Sequence, residues 1–214
     1  MRTIARSSFA VTAAASLAVM VIFATAVPLA AQGAALGAAA TRRAQRDEGR
    51  YDATFRKYSK RFFGVTFDWR RFKAQGIAES GLDATARSRV GARGVMQLMP
   101  STFHDIRTHR PEFGSIDDPE WNIAAGIMHD RYLWKLWSPK VPDDDRPSFM
   151  FGSYNAGEGT IGRATRVAKA SALDDVRWRS IEQVAPTVPR WRYRETLGYV
   201  RAIDVSYKRL TARR

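Results

Sequence analysis

The chain opens on an apolar run from Phe9 to about Ala31, preceded by Arg2 and Arg6 and followed by no charge until Arg42. A basic start, an apolar stretch and then small residues form the pattern of a secretory signal. Several Ala-x-Ala-like sites between Ala24 and Ala40 leave the cleavage point open. About 20 apolar residues also suffice to cross a bilayer, so residues 9–31, if retained, would anchor the protein in a membrane. Residues 1–40 therefore read as a signal peptide or signal anchor, and the polar stretch 41–50 as a linker. Export follows from either reading, to the periplasm or cell envelope, with inner-membrane anchorage in the second case.

From Tyr51 the pattern turns helical. Tyr51, Phe55, Tyr58 and Phe62 recur at three- and four-residue spacing until Gly64. A second helix is predicted from Asp68 or Trp69 to about Glu79, with Trp69, Phe72, Ile77 and Ala78 as apolar positions. Gly81 breaks it and leaves Glu79 at the helix C-terminus. Gly91 and Gly94 punctuate a loop before Val95–Met99, in which Leu98 and Met99 are assigned to the core. Pro100-Ser101-Thr102 opens another helix. Asp117-Asp118-Pro119-Glu120 starts the next, because carboxylates accept from free N–H groups and favour the positive end of the dipole. That helix, about Trp121 to Trp137, is given Ile123, Ile127, Tyr132 and Leu136 as its apolar side. Val141 to Pro147 reads as a solvated loop, and its three consecutive Asp lack the alternation and Gly of a calcium loop. Ser148 to Tyr154 starts a helix broken at Gly157 and Gly159, and a last helix spans Tyr193 to Leu210. With few period-two segments and no internal repeat, the class is mainly α, and 51–214 is one domain.

Composition narrows what such a domain does. The 214 residues are 45% hydrophobic and 26% charged, a globular balance with room for one ordinary domain and a short extension. Six Trp give core area first and flat platforms for sugar rings second. The formal net charge of +14 favours polyanions. Nucleic acid, anionic lipid surfaces and the acidic bacterial wall are the candidates; Arg and Lys are spread along the chain and form no reading helix, which with the export signal discounts nucleic acid. The absence of cysteine excludes disulfides, thiolate metal sites, a cysteine nucleophile and lipid attachment at an N-terminal Cys. His-Glu-x-x-His, a phosphate-binding Gly loop and Gly-x-Ser-x-Gly are missing too, and His104, His109 and His129 are too scattered for a metal site.

Carboxylates remain. Glu79 stands among Ile77, Ala78, Gly81 and Leu82, and apolar neighbours disfavour a charged carboxylate and raise its pKa. Such a group stays protonated near neutral pH and can protonate a leaving oxygen. Asp83 lies beyond the Gly break, and Asp105 and Glu112 belong to no motif.

Five blocks now stand in order: Glu79-Ser80-Gly81-Leu82; Ser88 to Pro100, reading SRVGARGVMQLMP; Asn122-Ile123-Ala124-Ala125-Gly126; Ser153 to Gly157, reading SYNAG; and Glu195-Thr196-Leu197-Gly198-Tyr199-Val200. Together they resemble the lytic transglycosylases, most closely the soluble-lytic-transglycosylase (SLT) catalytic domain, and span about Trp69 to Leu210. The resemblance implies a lysozyme-like α-helical domain with a substrate groove. It also implies a peptidoglycan glycan strand as partner and a reaction without metal or cofactor. Glu79 falls on the single catalytic acid/base. Ser88 matches a serine that supports the glycan. Gly94, Met96 and Gln97 match a groove-lining turn, in which Gly lets backbone approach sugar and Gln offers its amide. Tyr154 and Asn155 match the floor opposite the acid, and Tyr199 a tyrosine near it. Met96 also reads as core, Asn155 as a turn brace and Tyr199 as a packed tyrosine, while Ser80 reads as bracing the break after Glu79. Arg89, Arg93 and Glu158 depart from the family pattern and bear on groove shape, not on the acid.

Ordinary glycosidases use two carboxyl groups. A single one suits the transglycosylase scheme, in which Glu79 protonates the MurNAc–GlcNAc bond and then serves as base for closure to a 1,6-anhydro product. A lysozyme-type muramidase and a non-catalytic wall-binding assembly factor are the alternatives.

Overall fold

A computed structural model describes residues 49–212; the predicted signal or anchor segment, residues 1–40, and nearly all of the 41–50 linker lie outside them. The elements are α1 Asp52–Phe63, α2 Arg70–Ser80, α3 Pro100–His109, α4 Pro119–Trp137, α5 Arg146–Ala156, α6 Glu158–Ala170, α7 Trp178–Val184, a 3-10 turn Ala185–Thr187 and α8 Tyr193–Ala212. The described residues hold no regular strand; Arg93 makes two isolated bridges, to Arg87 and Leu98. No helix among them is long and apolar enough to cross a membrane.

The longest interior helix, α4, organises the domain. Asp118 is its N-cap, its side chain accepting from the N–H groups of Glu120 and Trp121. Asn122 through Ile127 are all buried. In that stretch Ala124, Ala125 and Gly126 keep the helix thin enough for neighbours to pack on every side. Farther along, Asp130, Leu133 and Trp137 are buried, whereas Tyr132 and Leu136 are 51% and 40% exposed. The predicted apolar side is thus corrected. At 3.6 residues per turn, nine residues make two and a half turns, so Tyr132 faces away from Ile123.

α2 packs along α8, α4 against α1 and α5, and α5 also against α6 and α8. Tyr199 of α8 reaches Glu79 near the end of α2, and Tyr207 reaches Asp68 just before its start, so the two helices run antiparallel. The buried part of α2 is Phe72 to Gly76 and includes Lys73 and Gln75. Lys73 is satisfied by donating to Asp52 Oδ1 at 2.5 Å.

Three further expectations change. Val141 is buried, and the segment taken for loop turns helical at Arg146, with Pro147 in the first turn. Pro is at home there because its missing N–H would be unpaired anyway. Gly159 lies inside α6, which restarts immediately after Gly157 because Ile161, Ala164 and Ala168 form a buried stripe. Leu98 is buried, but Met99 is 39% exposed.

Candidate active site

Glu79 is the penultimate residue of α2. Gly81 ends the helix in the left-handed region (φ 65°), with its N–H bonded to the Ile77 carbonyl and the Leu82 N–H to the Gly76 carbonyl. Ser80 braces the exit: its hydroxyl donates to Val95 O at 2.8 Å and accepts from Asp83 N at 3.1 Å. The end of α2 is thereby tied to the irregular segment 81–99, which has few regular backbone bonds of its own.

That segment is built around Gly94 and Asn122. Gly94 has φ 74°, and a Cβ there would lie 2.6 Å from Asn122 Nδ2, so neither the backbone nor the space admits a side chain. Asn122, fully buried near the start of α4, donates from Nδ2 to the Arg93 and Ile116 carbonyls and accepts from Met96 N at 2.8 Å. One amide side chain thus makes two bonds to the loop backbone and a third to Ile116, just before α4. Gln97, itself at φ 43°, donates to the Gly94 and Ala86 carbonyls at 2.9 and 3.2 Å. Its amide N–H is spent on the turn, which leaves the carbonyl oxygen for a ligand. Ser88 Oγ accepts from Ala92 N at 2.9 Å and closes the neighbouring turn.

The Met96 side chain is fully buried over Gly126 rather than set out into a groove. Its backbone carries its role, because the carbonyl accepts from the Tyr154 hydroxyl at 2.8 Å. Tyr154 thereby joins α5 to the loop. It borders a cavity of about 610 Å³ with His129, Tyr132, Asp105 and Glu158. Asn155, exposed near the end of α5, borders a second of about 220 Å³ with Trp191, Arg192 and Thr196.

The Glu79 carboxyl, only partly exposed, meets Tyr199, whose hydroxyl donates to Oε1 at 2.5 Å. Burial pushes its pKa up to about 7, and the Tyr199 hydrogen bond, which favours the charged form, opposes the rise. Tyr199 is itself held well above its ordinary pKa by burial and by the Glu79 charge, so it remains a donor. The structure therefore joins Glu79, Tyr199, Met96 and Tyr154 in one neighbourhood, with Ser88, Gly94 and Gln97 shaping the loop beside it and Asn155 at its exposed edge. A carboxyl group poised near neutrality can both give and take a proton.

Residues 66–176 match a family model described as the Transglycosylase SLT domain. The chain belongs to that family. This SLT chain is 29% identical over 150 residues to the membrane-bound lytic murein transglycosylase F of Shewanella pealeana, covering 70% of this chain and 29% of the relative. The protein of the same name from Desulfosudis oleivorans is 33% identical over 139 residues, covering 63% and 29%. The 70 kDa soluble lytic transglycosylase of Escherichia coli superposes with a TM-score of 0.56 at 26% identity, over 75% of this chain and 24% of that one. That likeness makes the helical SLT fold lysozyme-like. The SLT chain spans less than a third of the length of each of these proteins.

Sequence reasoning missed three buried polar residues around the SLT site: the hub role of Asn122, and Gln75 and Asp130 behind Glu79. Gln75, one helical turn before Glu79, was the readable signal, as a polar side chain on an otherwise buried face.

Proposed function

We propose that this protein cleaves the glycan strands of peptidoglycan as a lytic transglycosylase, with Glu79 as acid and then base. The observation that carries the reading is a carboxyl group held near pKa 7 by burial and bonded by Tyr199, inside an SLT fold. The names of the relatives, lytic murein transglycosylases, support the same substrate.

In the proposed reaction Glu79 donates its proton to the oxygen between N-acetylmuramic acid and N-acetylglucosamine. The C1–O bond breaks, and its electron pair leaves with the N-acetylglucosamine oxygen. The carbonyl oxygen of the muramoyl 2-acetamido group bonds to the cationic C1, which closes an oxazolinium ring. The Glu79 carboxylate, still held by Tyr199, takes the proton of the muramoyl 6-hydroxyl. O6 then bonds to C1 as the acetamido oxygen releases it. Glu79 ends protonated, no water is consumed, and the product carries a 1,6-anhydro end. Ser88, Gly94, Gln97, Tyr154 and Asn155 are proposed to line the glycan path, with Met96 supporting it from beneath. The enzyme is proposed to act in the cell envelope, with residues 9–31 as its export signal or membrane anchor; the relatives named membrane-bound and the N-terminal pattern support this reading.

Digestion of purified sacculi tests the reading. Wild-type protein should release 1,6-anhydro-muramoyl products, and Glu79→Gln should lower the rate by about three orders of magnitude or more while keeping the wild-type melting temperature. Reducing-end muramic acid without anhydro product would make the protein a muramidase. No product from wild type, with binding retained, would make it a wall-binding factor.

A further inference from the structure

Behind Glu79 lies a second carboxyl group that the reaction above does not use. Asp130 of α4 is fully buried, as is Gln75 of α2. Gln75 Nε2 donates to Asp130 Oδ1 at 3.4 Å, and this is the only hydrogen bond of the Asp130 side chain among the described residues. The two remaining atoms of the pair, Gln75 Oε1 and Asp130 Oδ2, are buried and unpartnered. Both are acceptors when Asp130 is ionised, so neither can satisfy the other. One proton on Asp130 Oδ2 changes that, because it provides the donor that Gln75 Oε1 lacks and turns two orphans into a second bond.

The surroundings favour that proton. Burial pushes Asp130 well above the ordinary carboxylate range, and the Glu79 charge pushes it further the same way. Tyr154 of α5 and Tyr199 of α8, the other titratable groups coupled to it, are held neutral. Position ties the pair to the chemistry. Gln75 precedes Glu79 by four residues and lies on the same face of α2, one turn back from the catalytic carboxyl.

We propose that Asp130 is a positioning residue for Glu79: as a neutral acid it closes a two-bond pair with the Gln75 amide, and this pair fixes the last turn of α2. The inference rests on the proposed role of Glu79 for its kinetic effect, but not for the protonation state of Asp130. The pair crosses from the helix that bears the acid to the central helix, where an apolar contact would hold distance but not rotation. Its neutrality keeps the buried site to one negative charge when Glu79 has given up its proton.

Infrared difference spectra and kinetics on the full chain test it. In a Glu79→Gln background at pH 7, the carbonyl stretch of a protonated carboxylic acid should be present and should vanish on adding Asp130→Asn. Absence of that band overturns the proposal, whatever the role of Glu79. On sacculi, Asp130→Asn places an N–H donor where the acid O–H stood and should keep kcat within about threefold. The double variant Gln75→Leu/Asp130→Leu removes the pair without leaving an orphan, so it should stay folded. Its kcat should fall about fivefold or more at unchanged KM, because a misaimed acid loses rate rather than affinity. Full kcat in the double variant, or equal loss in Asp130→Asn, overturns the positioning role. An acid band in Glu79→Gln protein that still cleaves sacculi would instead sink the Glu79 reading and leave the neutral pair standing.

Discussion

Glu79 and Tyr199 divide the control of one proton. Burial favours the neutral acid and the tyrosine bond favours the anion, and burial is the larger effect, so the carboxyl sits at about 7. A group that must begin protonated loses activity as pH rises through its pKa, so the rate of cleavage should fall on the alkaline side from near pH 7. Tyr199→Phe removes the donor to the charged form. The Glu79 pKa should then rise, and the alkaline limb should move upward by about one unit while kcat at pH 6 falls, because a carboxyl group of higher pKa is a weaker acid toward the leaving oxygen. A pH–rate profile of the variant checks the sign; an unmoved or lowered limb would remove Tyr199 from the control of Glu79. Glu79 was legible in the sequence because a helix break after an apolar stretch is a local pattern. Its tyrosine partner, 120 positions away, came from resemblance alone.

Periodicity reads a helix well where one face is buried and the ends are punctuated, as in α1 and α8; in α2 it named Trp69, Ile77 and Ala78, which are half-buried, and missed Lys73 and Gln75, which are buried. It reads poorly where a helix is enclosed. The first half of α4 is buried all round, so no stripe marks its register, and assigning Tyr132 and Leu136 to the core placed them on the far side. The restart at Glu158 was missed for a related reason. A glycine pair suggests a break, but only one glycine is needed for the turn, and the buried stripe of α6 carries the chain on. The segment 81–99 is the opposite case, an irregular stretch whose shape is imposed by side chains. Gly94→Ala tests how far it depends on one point. With positive φ and a Cβ pressed against Asn122, the change should lower stability by about 2–3 kcal/mol and disturb the Met96–Tyr154 contact. A thermal melt, together with loss of cleavage below the new midpoint, measures it; an unchanged melting temperature would mean that the loop shifts freely.

Across the whole molecule the formal charge is +14, and the proposed substrate is a polyanionic wall. Attraction of that kind is screened over about 8 Å at physiological ionic strength and about 3 Å at 1 M. The apparent KM on sacculi should therefore rise with added salt while kcat stays level; a salt-independent KM would show that basicity plays no part in reaching the wall. What the sequence determined by itself was local: the helix ends around Glu79, the cap at Asp118, the excess of basic residues, and the ordered blocks that carry the family. Those features depend on neighbours within a turn or two, or on simple counts. Tertiary structure alone decided that Met96 faces inward and that Gln97 spends its amide on the backbone. It also decided that Asn122 holds the loop and that Asp130 lies buried behind Glu79. Each depends on which distant atoms fill the space around a side chain. Packing fixes that, and no spacing along the chain records it.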